Sequence, residues 1–528
     1  MSQKLGGYLL AGLISLGLLF RVAHLDQKIF WADEVATAMR AAGYTKAEVT
    51  AQLATGQPHS PADLLAYQQL RSPRSTPQLP PRSLTDSLSA LMRSPEHAPL
   101  YFLLVRCWME LFGSSTSAIR SLSVLCSLLA LPVLHQLCRE LNRDPAAAQT
   151  AAQTAAQTAA QQTAVGFMAI SPFFVAYAQE ARPYSLWSLL LLLCSTALLR
   201  AVRRNRPTNW LIYALTLTLS LYTSLLTVPV AAGQAVFVAL QVQGRWRYLA
   251  AVCLTGALFL PWIWVLWSQR INLDTNTTWM RTAVPIWLTA AIWLYSAAVL
   301  WFDLPVVTTG WLAGIEAMVA ATVLAILGYA IVRLIRLRTG LYLAALGLPV
   351  PVGLLLLDWG WQGQAAATSR YLIPAQLALL MAAAIGVTQF KPRLRRAAVG
   401  LLLSLSLISC IVNLNRIPDY QKDRNRANLE LAALINAAPE PMLLAEPSQT
   451  LDLLSLSHSL SADTQIRIAP AVQLLPQLDH CPPSFLFNPS ESMLAAASQL
   501  GLNPKLAYQP QMLLSQDRHL TLWKACSF

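Results

Sequence analysis

Apolar runs long enough for spanning helices, about 20 residues each, recur along most of this chain. About eleven are present: roughly 5–23, 117–136, 149–170, 184–201, 208–224, 225–243, 248–268, 310–331, 339–357, 371–389 and 397–414. Two more runs are borderline. Residues 98–113 are apolar but short, with Arg106 and Glu110 inside, and residues 285–302 are short as well. After residue 414 the pattern changes. MLLA from Met442, IRIA from Ile466, FLF from Phe485 and LTLW from Leu520 alternate with helical patterns, as in a small α/β domain. The expected fold is an all-α polytopic membrane domain over 1–414 and a C-terminal α/β domain over 415–528. The low-complexity tract AAAQTAAQTAAQTAAQQTA, from Ala146, is built of helix-favouring residues and is expected to lengthen the third span at its cytoplasmic end.

Composition sharpens this. The 528 residues are 55% hydrophobic and 12% charged, and a soluble domain carries about 25% charge. Mean hydropathy is +0.46. Such a chain cannot cover itself with charge, so lipid must cover it. The net charge of +13 sits in short connections: Arg139/Arg143, Arg203/Arg204/Arg206, Arg245/Arg247, Arg333/Arg336/Arg338 and Lys391/Arg393/Arg395/Arg396. With the N-terminus inside, all five clusters fall on the cytoplasmic side, so the excess reads as a positive-inside signal and not as a nucleic-acid surface. That orientation makes 98–113 and 285–302 interfacial helices on the outer leaflet. It puts outside a long first loop (24–116, Pro- and Ser-rich from Ser72), the loops 171–183, 269–309 and 358–370, and the C-terminal domain. The N-terminal run lacks a small-x-small cleavage site and reads as an uncleaved span. The expected location is a plasma membrane, such as the bacterial inner membrane, with the N-terminus cytoplasmic. None of the eight cysteines forms a CxxC pair, and Cys481 with Cys526 are candidates for a disulfide if their domain is extracytoplasmic.

Four polar clusters flank the outer ends of the spans. Ionisable groups at a membrane edge are functional candidates by default. In Phe30-Trp31-Ala32-Asp33-Glu34, one carboxylate can act as general base while the other orients an acceptor or a cation. The plainer alternative is a pair of acids at a helix N-terminus, where anions are stabilised. In Gln179-Glu180-Ala181-Arg182-Pro183-Tyr184, the arginine can grip a phosphate and the carboxylate can accept sugar hydroxyls. A loop-closing Glu–Arg pair is the alternative. Arg370 in Ser369-Arg370-Tyr371 reads as a second phosphate ligand or a snorkelling arginine. His97, in Glu96-His97-Ala98-Pro99-Leu100-Tyr101, is a lone histidine, a type more often structural than catalytic. No P-loop, no GxGxxG after a strand and no His/Cys metal set occurs. A lipid-linked substrate entering sideways from the bilayer suits this arrangement.

In order along the chain, these elements resemble the GT-C glycosyltransferases, in particular the family 39 branch that contains protein O-mannosyltransferases and the lipid A aminoarabinose transferase. The matching residues are Asp33-Glu34, His97-Ala98-Pro99-Leu100-Tyr101 with Leu111-Phe112-Gly113, the element over 171–186, and Arg370-Tyr371-Leu372-Ile373-Pro374. The resemblance covers about 5–390 and departs at Ala98, where the family often has proline. It implies inverting transfer of a sugar from a polyprenyl-phosphate donor to an outer lipid, glycan or protein. Asp33 would be base or acceptor-orienting group, with Glu34 in support. Arg182 and Arg370, with Glu180 and Tyr371, would hold the donor, and His97, Tyr101 and Tyr184 would support the acceptor or the loops. No cofactor is implied with certainty. A divalent cation at Asp33 and Glu34 stays open. Two other classes compete. A transporter or flippase of lipid-linked sugars would carry midplane polar residues and paired broken helices, and few such residues interrupt the runs. A non-catalytic envelope assembly protein would leave the acidic pair unexplained.

Overall fold

The computed structural model describes residues 3–70, 79–141, 151–241, 244–305, 310–335, 337–416, 424–475, 484–509 and 520–525. The chain divides into two compact units. The first comprises Met1–Ala23, Ser94–Tyr101 and Arg120–Asn415, and the second His24–Arg93, Phe102–Ile119 and Arg416–Phe528. Cys481, Cys526 and most of the Pro/Ser-rich stretch lie outside the described residues, as do 146–150 of the Ala/Gln tract.

The first unit is helical, and the chain is an integral membrane protein. Each of the eleven expected spans falls on helix. Seven helices among the described residues have the length and composition to cross a bilayer: Thr116–Leu141, Tyr184–Arg204, Arg245–Ser268, Gly310–Leu334, Arg338–Trp361, Ser369–Gln389 and Pro392–Leu414. An eighth is a broken pair, Gln153–Ala169 and Pro172–Ala178, bent by 54°. The other three expected spans form shorter helices, Gln3–Val22, Pro207–Leu221 and Thr227–Ala239. The last two are cut short by turns at Tyr222 and Leu240, which hydropathy does not register.

The break in the eighth span follows from Pro172. Proline has no N–H to continue the ladder, and it holds Ser171 in an extended conformation at φ −62°, ψ 121°. The next helix then restarts with Pro172 in its first turn. In a membrane the carbonyls freed by such a break have no water to bond. Arg21, fully buried, takes them: its guanidinium donates to Met168 O at 3.0 Å and to Ala169 O, and also to Gly17 O and Ser127 Oγ, each at 2.9 Å. A Cβ on Gly17 would run into Ala169 O, so glycine permits this close approach. The helix Ile373–Gly386 is buried along nearly its whole length.

The borderline runs form Leu100–Phe112 and Ile286–Ala298, 13 residues each. At 1.5 Å per residue each is about 20 Å long, short of the roughly 30 Å hydrocarbon core.

The second unit holds a six-stranded mixed sheet, ordered β1-β3-β2-β4-β6-β5, with β1 Pro58–His59, β2 Met442–Ala445, β3 Gln465–Ile468, β4 Ser484–Phe487, β5 Lys505–Tyr508 and β6 Leu522–Lys524. The parallel centre, β3-β2-β4, and β6 are the four strands the sequence predicts. β2 and β4 are buried on both faces, as parallel strands are. One face packs Leu444, Leu486, Leu474, Met493 and Ala497 into a core. β1 comes from the segment after the first helix and pairs antiparallel with β3, Pro58 opposite Arg467. That segment is therefore built structure. It also forms helices Ala32–Ala41, Lys46–Leu53, Pro61–Ala66 and Leu84–Met92, the last two opened by capping boxes at Ser60/Asp63 and Ser83/Asp86. Arg106 is buried within this unit. It donates to Glu110 Oε1 (2.8 Å), Ser87 Oγ (3.1 Å), Ala41 O (3.3 Å) and Arg82 O (2.7 Å), which explains a charge inside an apolar run.

Candidate active site

In the second unit, Asp33 and Glu34 occupy the first turn of helix Ala32–Ala41. The helix starts because Trp31 is extended (φ −76°, ψ 167°) and the chain then turns helical, but the Trp31 side chain supplies no cap. The Ala32 N–H instead donates to Asn425 Oδ1 at 2.9 Å. Both carboxylates gain from the positive end of the helix dipole, so the electrostatic reading of the pair holds whatever its chemistry. The two acids differ in access. Glu34 is fully buried, whereas Asp33 is partly exposed. Of the two, Asp33 is the one that solvent reaches.

In the first unit, Glu180 and Arg182 lie in the turn between Pro172–Ala178 and Tyr184–Arg204, and both are buried. The turn is tight, with Arg182 N–H bonded to Glu180 O at 2.8 Å. Gln179 anchors it by donating to Phe20 O (2.8 Å) and Ala23 O (2.9 Å). Arg182 lies 5.7 Å from the Tyr184 ring centre, and the rings of Tyr177 and Tyr184 are 5.0 Å apart. Tyr101 is wholly buried and shares a 2.7 Å hydrogen bond with Ser123 Oγ, which donates to Arg182 O at 3.4 Å. The elements around Tyr101 and Arg182, 81 positions apart in sequence, are thus joined through Ser123. His97 sits 3.6 Å from Glu96 Oε1, and Glu96 accepts from Asn276 Nδ2 at 3.1 and 3.2 Å. That set ties the turn before Leu100 to the helix Arg270–Thr277.

Arg370 and Tyr371 lie in a 3-10 turn, Ser369–Leu372, that opens the buried helix, with the guanidinium 5.7 Å from the Tyr371 ring centre. Ser369 is tied to Ser296 at 2.8 Å. Ile373, three residues on, lines a narrow crevice with Phe173, Phe174, Tyr177, Tyr184 and Ser185. The Arg370 and Arg182 elements therefore border one aromatic crevice. Sequence reasoning missed Arg21, which reads as an interfacial arginine at a span end. It also missed Asp303, which is buried and accepts from Tyr295 and Asn413, each at 3.2 Å. An acid directly after the apolar run 285–302 was the signal available. Among the described residues, no three His, Cys, Asp or Glu side chains come together as a metal-ligand set.

Residues 96–267 match the family model described as dolichyl-phosphate-mannose-protein mannosyltransferase. The structure is similar to that of ArnT from Cupriavidus metallidurans in the apo state, with TM-score 0.56 and 12% identity over 99% of this chain and 98% of that one. It is equally similar to the same protein bound to undecaprenyl phosphate, with TM-score 0.56 and 11% identity over the same shares. The chain has the GT-C glycosyltransferase fold. Among curated proteins no sequence matches significantly. The matched family segment runs from the His97 element through Arg182, and the GT-C fold likeness extends over both units.

Proposed function

We propose that this protein is a membrane glycosyltransferase that moves a sugar from a polyprenyl-phosphate carrier to a lipid, glycan or protein acceptor outside the cytoplasm, with inversion. The observation that carries the reading is the near full-length likeness to ArnT, one structure of which holds undecaprenyl phosphate, together with the mannosyltransferase match over the Arg182 element. In the reaction, an acceptor hydroxyl oxygen attacks the sugar C1 while the C1–O bond to phosphate breaks. Asp33 accepts the hydroxyl proton or holds the hydroxyl for attack. The bond's electron pair leaves with the phosphate, whose charge Arg182 and Arg370 stabilise, because guanidinium groups bind phosphate through charge-assisted hydrogen bonds. Glu34, buried and next to Asp33 in sequence, supports it. Glu180 and Tyr371 take sugar hydroxyls, and Tyr101, Tyr184 and His97 keep the acceptor loops in place. The domains of action are 1–414 for transfer and 415–528 for an outer domain. The membrane is a bacterial inner membrane, with the N-terminus in the cytoplasm and the active site outside.

The test is a transfer assay in detergent with a panel of radiolabelled polyprenyl-phosphate sugars, wild type beside Asp33→Asn. Sugar release that depends on Asp33 supports the reading and names the donor. Release by Asp33→Asn at the wild-type rate removes the base from the scheme.

A further inference from the structure

The geometry points to a task for the C-terminal segment: Asn425, held by Asp452, is a positioning residue that caps the helix carrying Asp33 and fixes where that carboxylate stands. The inference rests on the role proposed for Asp33.

The acidic helix begins without a cap of its own, since the Trp31 side chain makes no bond to the first-turn amides. Such an end leaves backbone N–H groups to be satisfied from elsewhere. The acceptor comes from nearly four hundred residues away. Asn425 Oδ1 takes the Ala32 N–H at 2.9 Å, and Asn425 is 1% exposed. The Asn425 amide then donates through Nδ2 to Asp452 Oδ1 at 2.9 Å. Its orientation is unambiguous, because a backbone N–H can only donate and a carboxylate can only accept. Asp452 is in turn gripped by Arg424, with Nε and Nη2 donating to its two oxygens at 2.8 and 2.9 Å. Such a two-point pair has a defined geometry. Asn425 itself sits at φ +68°, a region that asparagine adopts more readily than most residues.

A second hold lies one peptide back. Ser455 Oγ donates to Phe30 O at 2.7 Å and accepts from Asn428 Nδ2 at 2.9 Å. Ser455 and Asp452 share the helix Thr450–Leu456. One short helix therefore grips the chain on both sides of Trp31, directly before Asp33. Asn425, Asp452, Asn428 and Ser455 are all buried, and a buried hydrogen-bonded network resists displacement. A base displaced by about 1 Å costs on the order of a hundredfold in rate, so this clamp bears on turnover more than on donor binding, which the proposal assigns to arginines in the other unit.

The experiment measures kcat and donor KM in the full-length protein. Asn425→Gly removes the amide without straining the positive-φ backbone, and it is paired with the swap Asn425→Asp plus Asp452→Asn. The swap leaves the charge count unchanged, returns an acceptor to the Ala32 N–H and supplies a donor from position 452. The expected result is a kcat fall of roughly ten- to a hundredfold in Asn425→Gly with donor KM within about twofold, and recovery of most of that loss in the swap. If Asn425→Gly fails to fold, Ser455→Ala reads the same effect from the other side of Trp31, with a smaller kcat loss and unchanged KM. Wild-type kcat in Asn425→Gly overturns the inference, as does a swap no faster than the glycine variant. An active Asp33→Asn would sink the parent reading, whereas an inactive Asp33→Asn beside a fully active Asn425→Gly sinks only this one.

Discussion

In the helical unit, side-chain pairs such as Tyr101 with Ser123 and Asp303 with Asn413 occur beside a set of polar side chains that serve the backbone. Arg21 bonds the carbonyls freed at the break after Ala169, Gln179 bonds Phe20 O and Ala23 O, and Ser123 bonds Arg182 O. In the mixed unit, side chains are linked into longer chains of bonds: Arg424 with Asp452 and Asp452 with Asn425, beside Asn428 with Ser455 and Arg82 with Glu48. The difference follows from the surroundings. Where spans lie in hydrocarbon, each interruption of a helix leaves backbone groups that only protein can satisfy. Where short helices and strands meet in the second unit, elements are joined by side-chain networks, since none is long enough to be stable alone. The two candidate halves of the chemistry sit in these two settings, arginines in the first unit and the carboxylate pair in the second.

Substitutions can break this contrast or sharpen it. The largest effect is expected from Asp33→Asn: a kcat loss on the order of 10²–10⁴-fold, the usual contribution of a general base, with an unchanged melting temperature in detergent. A melting temperature that falls with kcat would show the acid serving structure, as the helix-dipole account alone would have it. Next comes Arg21→Met. It leaves the carbonyls of Met168 and Ala169 without their donor, so stability should fall by about 3 kcal/mol or more, read as a lower melting temperature. An unchanged melting temperature would mean the break is satisfied in some other way. Arg370→Gln should weaken binding of polyprenyl phosphate by roughly tenfold, from the loss of one charge-assisted bond, while stability stays near wild type. A stability loss without a binding loss would return Arg370 to the backbone-serving class. The smallest effect belongs to Tyr101→Phe. Removing its bond to Ser123 costs about 1 kcal/mol and should lower stability slightly without altering donor affinity.

The two units were unequally legible in the sequence. Among the described residues, each of the eleven hydropathy segments falls on helix, because a run near 20 apolar residues has few other uses. Hydropathy could not see that 208–224 and 225–243 end early, since Tyr222 and Leu240 are as apolar as their neighbours. In the second unit the parallel strands were visible as short buried runs. β1 was not, because Pro58 and His59 form only two residues of edge pairing, and β5 was not, because Lys505–Tyr508 is half-exposed and carries no clean alternation. For the site, the motif residues were visible as charged groups at span ends. Their environments were not: nothing local distinguishes buried Glu34 from reachable Asp33, and the partners that place them, Asn425 and Asp452, lie about 400 residues away. Likewise Arg21 looked like an arginine at a helix end until the bend after Ala169 gave it a carbonyl cage.

The proposed division of labour has arginines binding the carrier phosphate and Asp33 acting in the chemical step. Its most direct test is to titrate purified wild type, Asp33→Asn and the double variant Arg182→Gln plus Arg370→Gln with undecaprenyl phosphate, beside single-turnover transfer from saturating donor. The account predicts wild-type affinity without transfer in Asp33→Asn, and binding weakened by at least about tenfold in the double arginine variant. Wild-type affinity in the double variant, or transfer at the wild-type rate by Asp33→Asn, would contradict it.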